Sequence, residues 1–200
     1  MARKSQKKSK RPVAKVVQLA RKATSISDPV SMDKLMDFLS EFLAVEKGGT
    51  RLYRAAAGRS TDPEIRDTYL KYLRQTERHA ELLTDAISRI GGDPKFISKG
   101  ASVQMKRAKS MLELEVPPEL RELADAENIL LAETKDHKDW EFLDAIGSKI
   151  PDDDARDVIS EIVDEVEDEE DEHLEFAKKA VDKLANLAVR RGQQTRKRAA

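Results

Sequence analysis

At 200 residues, 39% apolar and 38% charged with only 4% aromatic residues, the chain is long enough for one domain with a sizeable core, and its composition favours solvent-washed helices over a sheet. The absence of cysteine excludes disulfides, thiolate zinc sites, iron–sulfur clusters and a catalytic thiol, so a metal could be held only by oxygen and imidazole nitrogen. The net charge of −1 conceals two acid-free ends: residues 1–22 carry nine Lys or Arg and residues 190–200 carry five, leaving 23 basic residues against 38 acids between them.

In chain order, a basic tail over residues 1–25 precedes a helical domain expected over 26–189, and a second basic tail follows over 190–200. The first helix opens at Asp28-Pro29, an N-cap followed by proline at the first helical position, and runs to Gly58. The second opens the same way at Asp62-Pro63 and ends at Gly91-Gly92. The stretch from Gly91 to Pro118 is long enough to cross the length of a bundle, and residues 101–114 within it have helical composition. A third helix starts after Pro117-Pro118 and stops near Gly147. The fourth starts at Pro151, with Asp152, Asp153 and Asp154 complementing the helix dipole, and runs toward Gly192. Two short links and one long one predict an all-α, up-down four-helix bundle of two antiparallel hairpins joined by a long crossover.

Each helix carries an apolar stripe at alternating three- and four-residue spacing, and each stripe has a polar break. The first reads Leu35, Leu39, Phe42, Glu46, Gly49, Tyr53; the second Ile65, Tyr69, Tyr72, Thr76, His79, Leu83, Ala86, Ile90. The third reads Leu120, Leu123, Glu127, Leu130, Thr134; the fourth Ile162, Val166, Glu170, His173, Ala177, Ala180, Leu184, Leu187. At about 1.5 Å rise per residue, Glu46, Thr76 and His79 lie roughly 18, 21 and 26 Å from the first hairpin turn, and Glu127 and Glu170 roughly 30 and 28 Å from the second. Buried carboxylates without compensation cost several kcal/mol each, so three glutamates and two imidazoles meeting in one layer call for cations between them. Carboxylate oxygen with imidazole suits iron, with manganese as the alternative, and carboxylates able to bridge favour two ions over one.

This constellation resembles the ferritin-like diiron-carboxylate superfamily, over about residues 28–189. That family's pattern is one glutamate from each of two helices and Glu-x-x-His from each of the other two. The resemblance implies metal ligation by Glu46, His79, Glu127, Glu170 and His173, with Glu127 and Glu170 bridging or chelating and Glu46 terminal. The sequence departs from the pattern at Thr76, where glutamate is expected, so Thr76 would leave a coordination position to water or oxidant. Tyr53, Tyr72 and Glu167 are the neighbours expected close to the centre. The implied activity is that of a non-haem iron oxidoreductase of the ferroxidase type, using dioxygen or peroxide in iron or oxidative-stress handling; the missing cysteines exclude a rubredoxin-type relay.

His137, about 15 Å beyond Glu127 along the same helix, is expected to be structural, and Trp140 has no special context. No apolar run approaches the roughly 20 residues of a membrane span, and no apolar signal-peptide core is seen, so a cytoplasmic protein without membrane contact is expected. The partners admitted are metal ions, further copies of the chain, and DNA through the basic tails. The competing expectation is a non-enzymatic helical stress protein with a degenerate site, in which those tails matter more than the core.

Overall fold

The computed structural model describes residues 28–199, with side chains placed through residue 190, so the tail expected over 1–25 and the side chains beyond Arg190 lie outside the described residues. The helices are α1 (Met32–Arg59), α2 (Pro63–Arg89), α3 (Lys99–Leu112), α4 (Arg121–Gly147) and α5 (Asp153–Ala199), with a 3₁₀ turn at Pro118–Leu120 leading into α4. No strand occurs among the described residues.

Local chemistry explains most boundaries. Asp62 accepts hydrogen bonds from the N–H groups of Glu64 and Ile65 at 3.0 and 3.2 Å, and Pro63 opens α2 as expected. Asp152 accepts from Ala155 N–H at 2.8 Å at the start of α5. Beyond α2, Gly91 turns the chain at φ 81°, a conformation in which a Cβ would be strained. Two boundaries differ from expectation. α1 is capped by Ser31 rather than Asp28, because Val30 N–H donates to Lys149 O at 3.0 Å and holds the entry segment against the α4–α5 link. α5 continues through Gly192 to Ala199, where a tail was expected from residue 190. A lone glycine costs a helix only about 1 kcal/mol, less than its strong helix-forming neighbours can sustain.

α1 packs on α2 and α4 on α5, the pairs being joined by the short links; α1 also meets α4, α2 meets α5, and α3 lies on α1. Ion pairs give the directions. Lys183 near the end of α5 reaches Asp62 and Glu64 at the start of α2, Lys71 pairs with Glu172, and Arg89 at the end of α2 pairs with Glu161. α2 and α5 therefore run antiparallel. Arg59 at the end of α1 forks onto Asp125 at the start of α4, with both hydrogen bonds at 2.7 Å, which sets those two helices antiparallel as well. The exposed pairs register the helices and contribute little energy, whereas the bidentate Arg59–Asp125 contact buries its carboxylate.

The apolar core is divided. One cluster holds Leu35, Leu39, Phe42, Leu83, Trp140, Leu143, Ile159 and Val166; the other holds Leu52, Tyr53, Ile65, Tyr69, Tyr72, Ile129, Ala177 and Leu184. Between them in all four long helices lie fully buried acidic and imidazole side chains.

α3 sits close against α1 because Gly48 lacks a side chain: a Cβ there would stand 3.0 Å from the Ala108 Cβ. Gly48→Val is expected to push α3 outward and lower stability by about 1–3 kcal/mol, the usual range for overpacking, read as a reduced urea midpoint at unchanged helical circular dichroism.

Candidate metal centre

The buried layer is built from one helical face of each long helix. α1 contributes Glu46, α2 contributes His79, α4 contributes Glu133, and α5 contributes Glu170 and His173; all five are buried. The ligand atoms form two triads, Glu46–His79–Glu170 and Glu133–Glu170–His173, each with its atoms within 4.8 Å of one another. Glu170 belongs to both. Its Oε1 lies 2.9 Å from His79 Nδ1 and 3.5 Å from His173 Nδ1. His79 Nδ1 is 3.7 Å from Glu46 Oε1, and His173 Nδ1 is 3.5 Å from Glu133 Oε2.

Four of the five residues singled out by spacing thus come together, and Glu127 does not. It is exposed on α4, and Glu133 stands in the layer instead. The true buried face of α4 is Ala126, Ile129, Glu133, Asp136, Trp140, Leu143 and Ile146. It lies one residue, about 100°, around the helix from the expected stripe. Two consecutive core positions of that face are acids, so hydrophobic periodicity points to the wrong phase, while Leu131 on the outer surface is 60% exposed. The signal that could have found Glu133 is the longer register of Ile129, Trp140, Leu143 and Ile146 farther along the helix.

The surrounding residues also sort differently from expectation. Glu167 is on the exposed side of α5, and Glu169 rather than Glu167 reaches the layer, its Oε2 2.9 Å from His79 Nε2. Arg78 holds Glu169 in turn, with Nη2 donating at 2.9 Å. Across the bundle, Gln75 Oε1 is 3.2 Å from His173 Nε2. Each imidazole is therefore gripped through Nε2 by the residue preceding position 76 or 170 on the facing helix, which turns both Nδ1 atoms inward. Trp140 is no bystander: its indole N–H donates to Glu46 Oε1 at 3.0 Å, and its ring meets His79 edge-on at 6.0 Å. Tyr53 holds the corresponding place at the other end, its ring 6.1 Å from His173. Tyr72 packs its ring 4.2 Å from His173, and its hydroxyl donates to Glu172 O at 3.5 Å. Thr76 is buried with its methyl against Gly49, where a Cβ would come within 3.3 Å. His137 is an ion-pair residue, 2.7 Å from Asp171.

The electrostatics are those of a cation-seeking pocket. Burial pushes the Glu46 carboxyl well above its usual range, and the nearby Glu170 charge adds to this. Burial likewise raises Glu133. Burial alone would raise Glu170 too, but the His173 and His79 imidazoles facing it outweigh this and bring it to about 2. Burial opposes a charge on His173, yet the Glu133 and Glu170 carboxylates facing it carry it up to about 9. Glu46 Oε2, Glu133 Oε2, both Glu170 oxygens and the Nδ1 atoms of His79 and His173 complete no hydrogen bond among the described residues. Buried polar atoms left so, all aimed into one volume and all oxygen or imidazole nitrogen, fit a divalent ion as the missing partner.

Beside this layer, on the α1–α4 side, Lys135 pairs with Asp139 at 2.5 Å and with Glu41 at 3.1 Å. Burial lifts the Asp139 carboxyl to about 7, the Lys135 charge offsetting only part of it.

Fold and site together define an all-helical protein whose buried carboxylates and imidazoles could hold a metal, and no helix among the described residues is long and apolar enough to cross a membrane. The chain belongs to the family described as a domain of unknown function (DUF892), which it matches over residues 31–186. A comparison with curated proteins found no match.

A carboxyl raised on folding stabilises the fold below its unfolded pKa, near 3.9, and that contribution is lost as pH rises through the folded value. Asp139 therefore makes the fold less stable on going from pH 4 toward pH 8. Asp139→Asn is expected to remove about 1–2 kcal/mol of that decline, measured as urea unfolding at both pH values; an equally steep decline in the variant would contradict the assignment.

Proposed function

We propose that this protein is a ferritin-like, non-haem metalloprotein that binds iron, with manganese as the alternative occupant, and acts as an oxidoreductase of the ferroxidase type toward dioxygen or peroxide. The observation that carries this reading is Glu170, one carboxylate shared by two triads that each end in an imidazole Nδ1. The antiparallel hairpins and the long crossover carrying α3 support ferritin-like connectivity over residues 26–189.

In this reading Glu46 and His79 would hold one ion and Glu133 and His173 a second, with Glu170 available to both. Glu133 takes the role that spacing gave to Glu127. Two such ions supply one-electron redox chemistry toward oxygen species. The protein's own contribution is orientation and exclusion of water. Glu169, anchored by Arg78, and Gln75 fix the imidazole rotamers and direct Nδ1 inward, as outer hydrogen-bond partners of metal-binding histidines do. Trp140 holds Glu46 in place. Thr76 brings no carboxylate to the layer, so a bound metal would have that side open to water or oxidant. The two apolar clusters seal the layer along the bundle axis.

Protein purified without chelator is expected to contain iron or manganese by elemental analysis, and the apoprotein to oxidise added Fe(II) under air faster than buffer does. Glu170→Ala and His173→Ala should lose the metal. Glu133→Gln should weaken binding by tenfold or more while Glu127→Gln leaves it unchanged, and the reverse ranking would overturn the ligand assignment. Glu169→Gln, which keeps all five ligands, is expected to weaken binding by roughly 10–100-fold. Metal-free protein that takes up no ion would retire the proposal.

A further inference from the structure

Among the buried acids outside the two triads, Asp125 is paired with Arg59 and Asp139 with Lys135, and Asp136 has no such basic partner among the described ion pairs. Asp136 on α4 is 3% exposed, and its Oδ1 completes no hydrogen bond among the described residues. The charges that bear on it are, in order, Glu46, Glu170, Glu133 and Asp139. One oxygen of this buried carboxyl is thus without a partner, in an acidic layer where Glu46 is its neighbour, at a position where a core helix would ordinarily carry an apolar side chain.

The layer has an approximate two-fold relation that makes Asp136 stand out. Glu46 on α1 corresponds to Glu133 on α4, and His79 on α2 to His173 on α5. Trp140, seven residues after Glu133, faces His79 at 6.0 Å and 73°; Tyr53, seven residues after Glu46, faces His173 at 6.1 Å and 71°. Under the same relation Thr76 corresponds to Glu170, and Gly49, three after Glu46, corresponds to Asp136, three after Glu133. Among the residues facing the interior of the layer, the two carboxylate mismatches fall at these two pairs: α2 lacks a carboxylate that α5 has, and α4 has a carboxylate that α1 lacks.

Charge connects the two breaks. The triads contain three carboxylates, Glu46, Glu133 and Glu170, against the four positive charges of two divalent ions. With neutral imidazoles, a positive charge would be left over inside the bundle, where an uncompensated ion costs several kcal/mol even after relaxation. One further buried carboxylate brings the layer to neutrality.

We infer that Asp136 is the fourth carboxylate of a two-ion centre, neutralising the ion on the Glu46–His79 side and making up for the carboxylate absent at Thr76. The inference rests on the metal-binding reading above and specifies its occupancy. The competing state is a permanently neutral acid packed beside Glu46. Asparagine has the shape and neutrality of that acid, so Asp136→Asn separates the two.

The experiment is a titration of full-length apoprotein with Mn(II), read as stoichiometry and affinity by calorimetry and by the loss of the free-ion electron paramagnetic resonance signal. Wild-type protein is expected to bind two ions, and Asp136→Asn one, with the second site weakened tenfold or more. Asp136→Asn combined with Thr76→Glu, which returns the charge from the opposite helix, is expected to recover the second ion; Asp136→Ser, unable to carry charge, is expected to bind one. Circular dichroism and urea midpoints of the apo forms confirm that each variant folds. Two ions bound by Asp136→Asn and Asp136→Ser at wild-type affinity would overturn the inference and leave the metal centre standing. A wild-type protein that binds a single ion would also overturn it, and one that binds none would overturn this inference together with the proposed function.

Discussion

The rest of the structure depends on the burial of a layer of ionisable side chains across the middle of an apolar bundle. Glu46, His79, Glu133, Asp136, Glu170 and His173 are all almost completely removed from water. Apolar clusters above and below leave them no route to solvent, so they must neutralise one another or share a cation. Replacing such a layer by well-packed aliphatic residues would commonly make a bundle more stable, so the layer is not what the bundle owes its stability to.

The layer also explains why each neighbour has the identity it has. Glu170 keeps its charge because two imidazoles face it, and His173 keeps its proton because two carboxylates do. The outer nitrogen of each ring is then free to be held from the facing helix, by Glu169 for His79 and by Gln75 for His173. The two grips differ in charge. His79 leans on a carboxylate that Gln75, His79 itself and Arg78 keep ionised against its partial burial, and His173 leans on a neutral amide, so the two halves of the layer are similar in shape and unequal in electrostatics.

The crossover follows a different logic. α3 does not enter the central layer; it rests on the outside of α1, where Gly48 and Ala108 let the two backbones approach. Its contribution is to cover α1 near Glu46 rather than to supply a ligand, and the Lys135–Asp139–Glu41 group lies at the rim of that cover. The groups that could hold a metal all come from four helical faces that meet in the interior, and the surface ion pairs between α2 and α5 serve to keep those faces in register.

Much of the fold was legible in the sequence because its signals are local. Asp62-Pro63, Gly91-Gly92, Pro117-Pro118 and Gly147 punctuate helices through the chain's own backbone chemistry, and three of the four buried faces follow from three-and-four spacing interrupted by a single polar cluster. On those faces Glu46, His79, Glu170 and His173 stand out as polar residues among apolar ones. The fourth face was not legible: α4 buries Glu133 and Asp136 in succession, and with two acids in the stripe the apolar pattern favours Glu127, which the folded chain turns outward. Nor could spacing along one helix reveal Trp140 on Glu46, Glu169 on His79 or the pairing of Gly49 with Thr76, since each joins residues on different helices. The sequence by itself determined which segments become helices and which ends of them meet, because propensity and capping act within a few residues. The rotation of α4 and the membership of the buried layer were decided only by the packing of four helices together, because the favourable environment of a buried acid is made entirely by residues distant in the chain.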